Sequence, residues 1–258
     1  MKKIISIITK KGGVGKTTTT FNLACALAKK KKKVLVVDMD SQHNLSMTCG
    51  LMDTGSHTIM DLIYKKLYDD KVDYNEYVYH NEENKIDVIP SNIFLDSVAN
   101  FVTNYKETKN KQGPLSDILN DEFFDKYDYV LYDSKTAIDV ITKAQIDSSD
   151  YAIVIVEPGL YSFVSVDEIT PRLTENNHTK LMGILINKAS GSTVVSQEVS
   201  ENFRQSYPDL VFNTVIPNRP AQTENVIATG LGCVNLKGNT LSDSYMALAA
   251  EVIKRSKK

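Results

Sequence analysis

Residues 4–18 constrain the chain more tightly than any other stretch. An apolar run, Ile4-Ile5-Ser6-Ile7-Ile8, passes into Thr9-Lys10-Lys11-Gly12-Gly13-Val14-Gly15-Lys16-Thr17-Thr18. The run is apolar on both faces, as a central parallel strand must be. From Lys16 to Ala28 the apolar residues Phe21, Leu23, Ala24, Leu27 and Ala28 recur at helical spacing. Gly12, Gly13 and Gly15 let backbone N–H groups turn inward at the start of that helix, where its dipole adds partial positive charge. Lys16 adds a full charge suited to β- and γ-phosphates. Thr17 offers a hard hydroxyl oxygen to Mg²⁺, and Thr18 stands one step further, toward an α-phosphate. Lys10–Thr17 thus follows the phosphate-loop spacing G-x-x-x-x-G-K-[ST], with lysine in place of the first glycine.

The rest of the chain has the rhythm this start requires. Short apolar runs at Val34–Val37, Val88–Pro90, Tyr129–Tyr132, Ala152–Val156, Leu181–Ile186 and Leu210–Ile216 alternate with helical stretches. That alternation predicts an α/β fold, a doubly wound, mostly parallel sheet flanked by helices. The 258 residues suffice for one sizeable core, so residues 1–258 are expected to form a single domain with no helix-turn-helix before the phosphate loop. The stretches 53–85 and 104–113 are polar and read as rim excursions and a connection. Met1–Ile8 is too short for a secretory signal, and no run reaches membrane-spanning length. Cys25, Cys49 and Cys233 are scattered and form no C-x-x-C pair, which fits a reducing, cytoplasmic setting.

Three carboxylates complete the chemistry. Asp38 and Asp40 follow the second apolar run in Asp38-Met39-Asp40-Ser41-Gln42, and Asp133 ends Tyr129-Val130-Leu131-Tyr132-Asp133. A strand-end aspartate beside a phosphate loop reaches Mg²⁺ through water. Of a further pair, one can support the metal while the other orients an attacking water.

These motifs resemble the deviant Walker A class of P-loop ATPases, and along nearly the whole chain the ParA partition ATPases. Lys-Gly-Gly-Val-Gly-Lys-Thr-Thr at 11–18 resembles the class motif, and Asp38–Gln42 resembles its D-x-D-P-Q switch with Ser41 at the proline. Ile86–Phe94, Val154–Tyr161, Val215–Arg219 with Pro217, and Tyr245–Val252 resemble further ParA segments. The resemblance implies ATP and Mg²⁺ as ligands, and a homodimer with ATP sandwiched between its subunits. Lys11 would reach the partner's nucleotide, Asp40 would place the water, and Asp38 would support the metal. Asn187 would read the adenine edge or, equally, cap a turn. After Asp133 the family's proline-rich turn is Ser134-Lys135-Thr136-Ala137 here, so Lys135 either adds charge near the γ-phosphate or faces solvent.

Function then divides by class. The resemblance implies an ATPase that segregates DNA: nucleotide-driven dimerisation, non-specific DNA binding, and slow hydrolysis stimulated by a ParB-like, centromere-binding partner. It would be nucleoid-associated when ATP-bound. The alternatives are a MinD-like membrane switch and an ATP-binding switch with little hydrolysis. A cluster-bearing protein like nitrogenase iron protein is disfavoured, because no cysteine lies between Cys49 and Cys233. The tail from Tyr245 to Lys258 lacks Phe and Trp and reads as a helix docked on the core, so no membrane is expected. A net charge of -2 means that DNA contact needs a local patch. Arg219, Lys237, Lys254, Arg255, Lys257 and Lys258 are the candidates. The five-lysine run Lys29–Lys33 reads as solvated surface at a helix end, with DNA contact the alternative.

Overall fold

The computed structural model describes residues 1–257 except 53, 54, 56, 69, 70, 160, 161, 175–177 and 192. The predicted ParA-like segment ending at Tyr161 and the candidate contact Lys258 therefore fall partly or wholly outside the described residues.

In chain order the strands and α-helices are β1 (Lys3–Ile8), α1 (Lys16–Lys29), β2 (Val34–Met39), α2 (Asn44–Thr48), α3 (Ile59–Tyr68), β3 (Tyr79–Asn81), β4 (Ile86–Ile89), α4 (Ala99–Thr108), α5 (Pro114–Leu119), β5 (Tyr129–Ser134), α6 (Val140–Asp147), β6 (Tyr151–Val156), α7 (Ser162–Thr174), β7 (Lys180–Ala189), α8 (Val194–Ser206), β8 (Val211–Pro217), α9 (Pro220–Thr229) and α10 (Leu241–Arg255). The strands make one sheet in the order β3-β4-β2-β5-β1-β6-β7-β8. Only β3 is antiparallel among the described pairings. The predicted α/β, mostly parallel architecture is the observed one.

Alternation along the strands feeds two layers of helix. Ile5 and Ile7 of β1 point into a cluster with Phe21 and Leu23 of α1 and Leu248 and Val252 of α10. Ile4 faces the opposite layer with α3–α6, and Ile8 faces α7 and α8 there. Burial on both faces explains why the strands read as unbroken apolar runs. The three cysteines are free and meet in the first cluster. Burial pushes the Cys233 thiol up to about 12, which leaves it inert.

Two rim segments differ from the sequence reading. Residues 79–81 form the edge strand β3, and α4 runs through part of the supposed connection at 104–113. The tail does dock: α10 lies along α1, and Tyr245 Oη meets Thr19 Oγ1 at 3.5 Å.

What positions the site is the order β2-β5-β1. Asp38 pairs in register with Asp133 across β2 and β5, and β5 lies beside β1. The C-terminal ends of three neighbouring strands thus carry the two carboxylates and the glycine loop side by side, where open α/β sheets bind ligands.

Candidate functional site

The loop after β1 has the backbone its glycines promise. Gly13 and Gly15 lie at φ 75° and 90°. Gly15 precedes α1 without any side-chain cap, so the first helical N–H groups are left for an anion. A Cβ at Gly12 or Gly13 would meet nothing within 4 Å, whereas one at Gly15 would stand 2.5 Å from Asn187 Nδ2. Val14 is buried and anchors the loop.

Lys16 is buried, and its Nζ donates to Thr136 Oγ1 at 3.2 Å. Burial lowers its pKa, while the charges of Asp133 and Asp40 act to keep it protonated. Asp133 is 1% exposed; Thr20 Oγ1 donates to its Oδ1 at 3.3 Å, and Thr17 faces the same carboxylate. Its Oδ2 is buried with no hydrogen-bond partner among the described residues. Burial, and next to it the neighbouring Asp38 charge, push the Asp133 carboxyl well above its usual range. Burial also raises Asp38, against the hydrogen bonds it accepts. An orphaned carboxylate oxygen beside a like charge and a threonine hydroxyl is a donor set that fits a hard divalent cation.

Asp38 and Asp40 divide their work. Asp38 accepts from Ser46 N at 2.9 Å, Ser46 Oγ at 2.7 Å and Asp40 N at 3.1 Å, so it anchors the turn that presents Asp40. Asp40 is half-buried, and its carboxylate accepts only from Gln42 N, at 3.0 Å, among the described contacts. Lys11 is exposed and makes no described ion pair, whereas its neighbour Lys10 is tied to Glu168 at 2.6 Å.

Residues 2–203 match the family AAA_31, described as an AAA domain. The Soj sporulation initiation inhibitor of Bacillus subtilis is 30% identical over 87% of this chain and 87% of its own. The chromosome partitioning protein ParA of Myxococcus xanthus is 27% identical over 98% of this chain and 88% of its own. The chain belongs to the AAA_31 family of P-loop ATPases, with ParA and Soj. A plasmid partition protein of Borrelia burgdorferi bound to AMPPNP shares the fold, with TM-score 0.79 and 22% identity over 99% of this chain and 100% of that one.

Against the ParA/Soj pattern, several residues behave in ways the sequence did not disclose. Asn187 is buried, and its Nδ2 donates to Val14 O at 2.6 Å. This contact is of the turn-holding kind, its donor bracing the phosphate loop. Lys188 Nζ donates to Gly13 O on the same loop. Pro217 closes β8 in register with Ala189, next to that end of β7. Lys135 does not face solvent: it is 9% exposed and pairs with Asp96 and Asp139.

The candidate DNA contacts do not form one patch. Arg219 is exposed just beyond β8, at the phosphate-loop end, and Lys237 is exposed before α10. Lys254 lies at the opposite end, in a cavity also lined by Tyr151 and Lys180, the first residues of β6 and β7. Arg255 differs from the others in that its guanidinium is committed internally. It donates to Met182 O, Leu210 O, Val211 O and Glu251 Oε1, each at 2.9 Å, and stacks 4.1 Å from the Phe212 ring centre.

Proposed function

We propose that this chain is a nucleotide-driven DNA partition switch. It binds Mg-ATP at Lys10–Thr18, closes as a dimer, holds DNA without reading its sequence, and is reset by slow hydrolysis that a centromere-binding, ParB-like partner stimulates. The unpaired Asp133 Oδ2 beside Lys16, at the uncapped start of α1, carries the reading. Similarity to ParA and Soj along most of the chain supports the cellular role.

In this reading each residue has its own task. The loop N–H groups and the N-terminus of α1 cradle phosphate oxygens, and Lys16 balances their charge. Mg²⁺, when bound, would supply positive charge that offsets the negative charge of the phosphate oxygens. Thr17 and Asp133 would hold it, Asp133 through water, with Asp38 setting the turn behind. Among the described residues no three His, Cys, Asp or Glu side chains cluster as a protein-only cage, which suits an ion that keeps waters and phosphate oxygens as ligands. Asp40 accepts a hydrogen bond from the attacking water and so orients it. Lys11, free at the surface, reaches the partner's nucleotide and offsets charge there.

Two measurements test this. Phosphate release is expected to be slow alone and faster with duplex DNA and the partner; ATP binding with turnover at background in every condition would leave only a binding switch. Retention on non-specific duplex is expected to be stronger with ATP than with ADP, and equal retention would remove the partition mechanism.

A further inference from the structure

Ser41 and Lys135, two departures from the ParA/Soj pattern, meet in space. Ser41 Oγ donates to Asp96 Oδ2 at 2.9 Å. Lys135 Nζ donates to the other oxygen of Asp96 and lies 2.5 Å from Asp139 Oδ2. Asp96 belongs to the short 3-10 turn Leu95–Val98 that follows β4. Asp139 caps α6, its Oδ1 accepting from Ile141 N at 3.1 Å and Thr142 N at 3.0 Å. Every carboxylate oxygen in the cluster therefore has a donor, two of them sharing Lys135, which is 10% exposed at its side chain.

The connections run on into the site at both ends. Ser41 directly follows Asp40, whose carboxylate accepts from Gln42 N in the same turn. Lys135 directly precedes Thr136, which holds Lys16 Nζ. The path is Asp40–Ser41···Asp96···Lys135–Thr136···Lys16. It spans the loops after β4, β2 and β5, which are neighbours in the sheet. With its ammonium already shared by two carboxylates, Lys135 is not offered to a phosphate.

We propose that Lys135 is a positioning residue that clamps the Asp40 turn to the Lys16 anchor through Asp96. A proline at position 41 would stiffen the turn by its ring; here a hydrogen bond and an ion pair do so across three loops. The catalytic part of this inference rests on the function proposed above, whereas the mechanical part does not.

The experiment separates the two. Backbone hydrogen exchange of residues 40–43 is followed in the nucleotide-free protein for Lys135→Met, Asp96→Asn, Ser41→Ala and Lys135→Arg. Asp96→Asn guards against a Lys135→Met protein that does not fold. Exchange is expected to rise roughly tenfold in the first two and less in Ser41→Ala, because losing a charge-assisted bond outweighs losing a neutral one. Lys135→Arg should stay near wild type. In turnover, Lys135→Met should lower kcat roughly tenfold with KM for Mg-ATP within about twofold, the pattern of lost positioning. Unchanged exchange at 40–43, or faster exchange confined to the start of α6, would overturn the clamp and leave a helix cap. If wild-type protein takes up no Mg-ATP in calorimetry, the proposed function fails while the exchange result still decides the clamp.

Discussion

Asp133 shows how one residue can work against the fold and for the site. Its carboxyl and that of Asp38 ionise later in the folded chain than at the ordinary 3.8. Above that pH the folded state holds more protons than the unfolded one, so stability without metal falls as pH rises through the range in which the pair ionises. The thermal midpoint of Mg²⁺-free protein is expected to decline from about pH 5 to about pH 8. Asp133→Asn should flatten that decline and raise the midpoint near pH 8 by at least about 2 °C, while abolishing any Mg²⁺ dependence of ATP binding. A scan in which the variant matched wild type would mean that the pair carries no such strain. Lys16→Met tests the phosphate side. Hydrogen bonds to a charged group contribute about 1.5–3 kcal/mol, so calorimetry should find ATP bound roughly 10- to 100-fold more weakly. Gly15→Ala should destabilise by about 1–3 kcal/mol in denaturant titration, since it strains a φ of 90° and drives a Cβ into Asn187. The placement of Gly15, Lys16 and Asp133 was legible because loop, helix start and strand end are each local patterns. The contacts of Asn187 and Lys135 were not. Their partners Val14 and Asp96 lie 173 and 39 residues away, and no spacing rule reaches so far.

At the scale of elements, legibility followed burial. Strands covered on both faces announce themselves as apolar runs, so the central strands were readable. β3 is the three-residue edge run Tyr-His-Asn, none of it fully buried, and a strand with so little to bury leaves no periodic trace. α4 turns only Val102 and Tyr105 into the core, and its polar remainder resembles a connection. α10 was readable as a docked helix, but the work of its last turn was not. Glu251 accepts from Asn213 N at 2.9 Å and Thr214 N at 3.1 Å, and Arg255 holds three carbonyls of the β7–β8 end. Arg255→Ala should therefore cost about 1–3 kcal/mol of stability, seen as a lower urea midpoint. Lys254→Ala, one residue away and exposed, should leave the midpoint unchanged. If Arg255→Ala left stability untouched and weakened only DNA retention, the guanidinium would belong to the surface.

Across the whole molecule the phosphate loop and a group of exposed lysines sit at opposite poles. The phosphate loop, Asp38 and Asp133 lie at the C-terminal ends of the strands. α1 runs away from that end alongside α10, and Tyr129 Oη meets Ser256 Oγ at 2.9 Å where α10 finishes beside the start of β5. The far pole therefore gathers Lys29, Lys31 and Lys33 with Lys180, Lys254 and Lys257, all exposed and without a described ion pair. Several acids nearby are engaged: Asp125 with Lys2, Asp128 with Lys32, Glu251 with Arg255, and Asp150 with the backbone N–H of Ile4, while Asp209 shares the cavity of Lys180 and Lys254. Part of this charge answers the carbonyl ends of α1 and α10, yet a helix end needs far fewer than six cations. If two copies close through their phosphate-loop faces, with Lys11 crossing between them, both lysine poles point outward and stay free for a polyanion. The proposed DNA contact then belongs at these poles, and the dimer doubles it. Lys29, Lys31 and Lys33 changed together to Glu should weaken retention on non-specific duplex and reduce the slope of log affinity against log salt by about 0.9 for each phosphate that is no longer neutralised. The ATP affinity should stay as in wild type, because these side chains do not touch the site, and the thermal midpoint should fall only modestly, through the reversed charge at the carbonyl end of α1. Retention that survives the triple change and instead falls with Arg219→Ala would move the DNA to the phosphate-loop end, where dimer closure and DNA would compete for the same face.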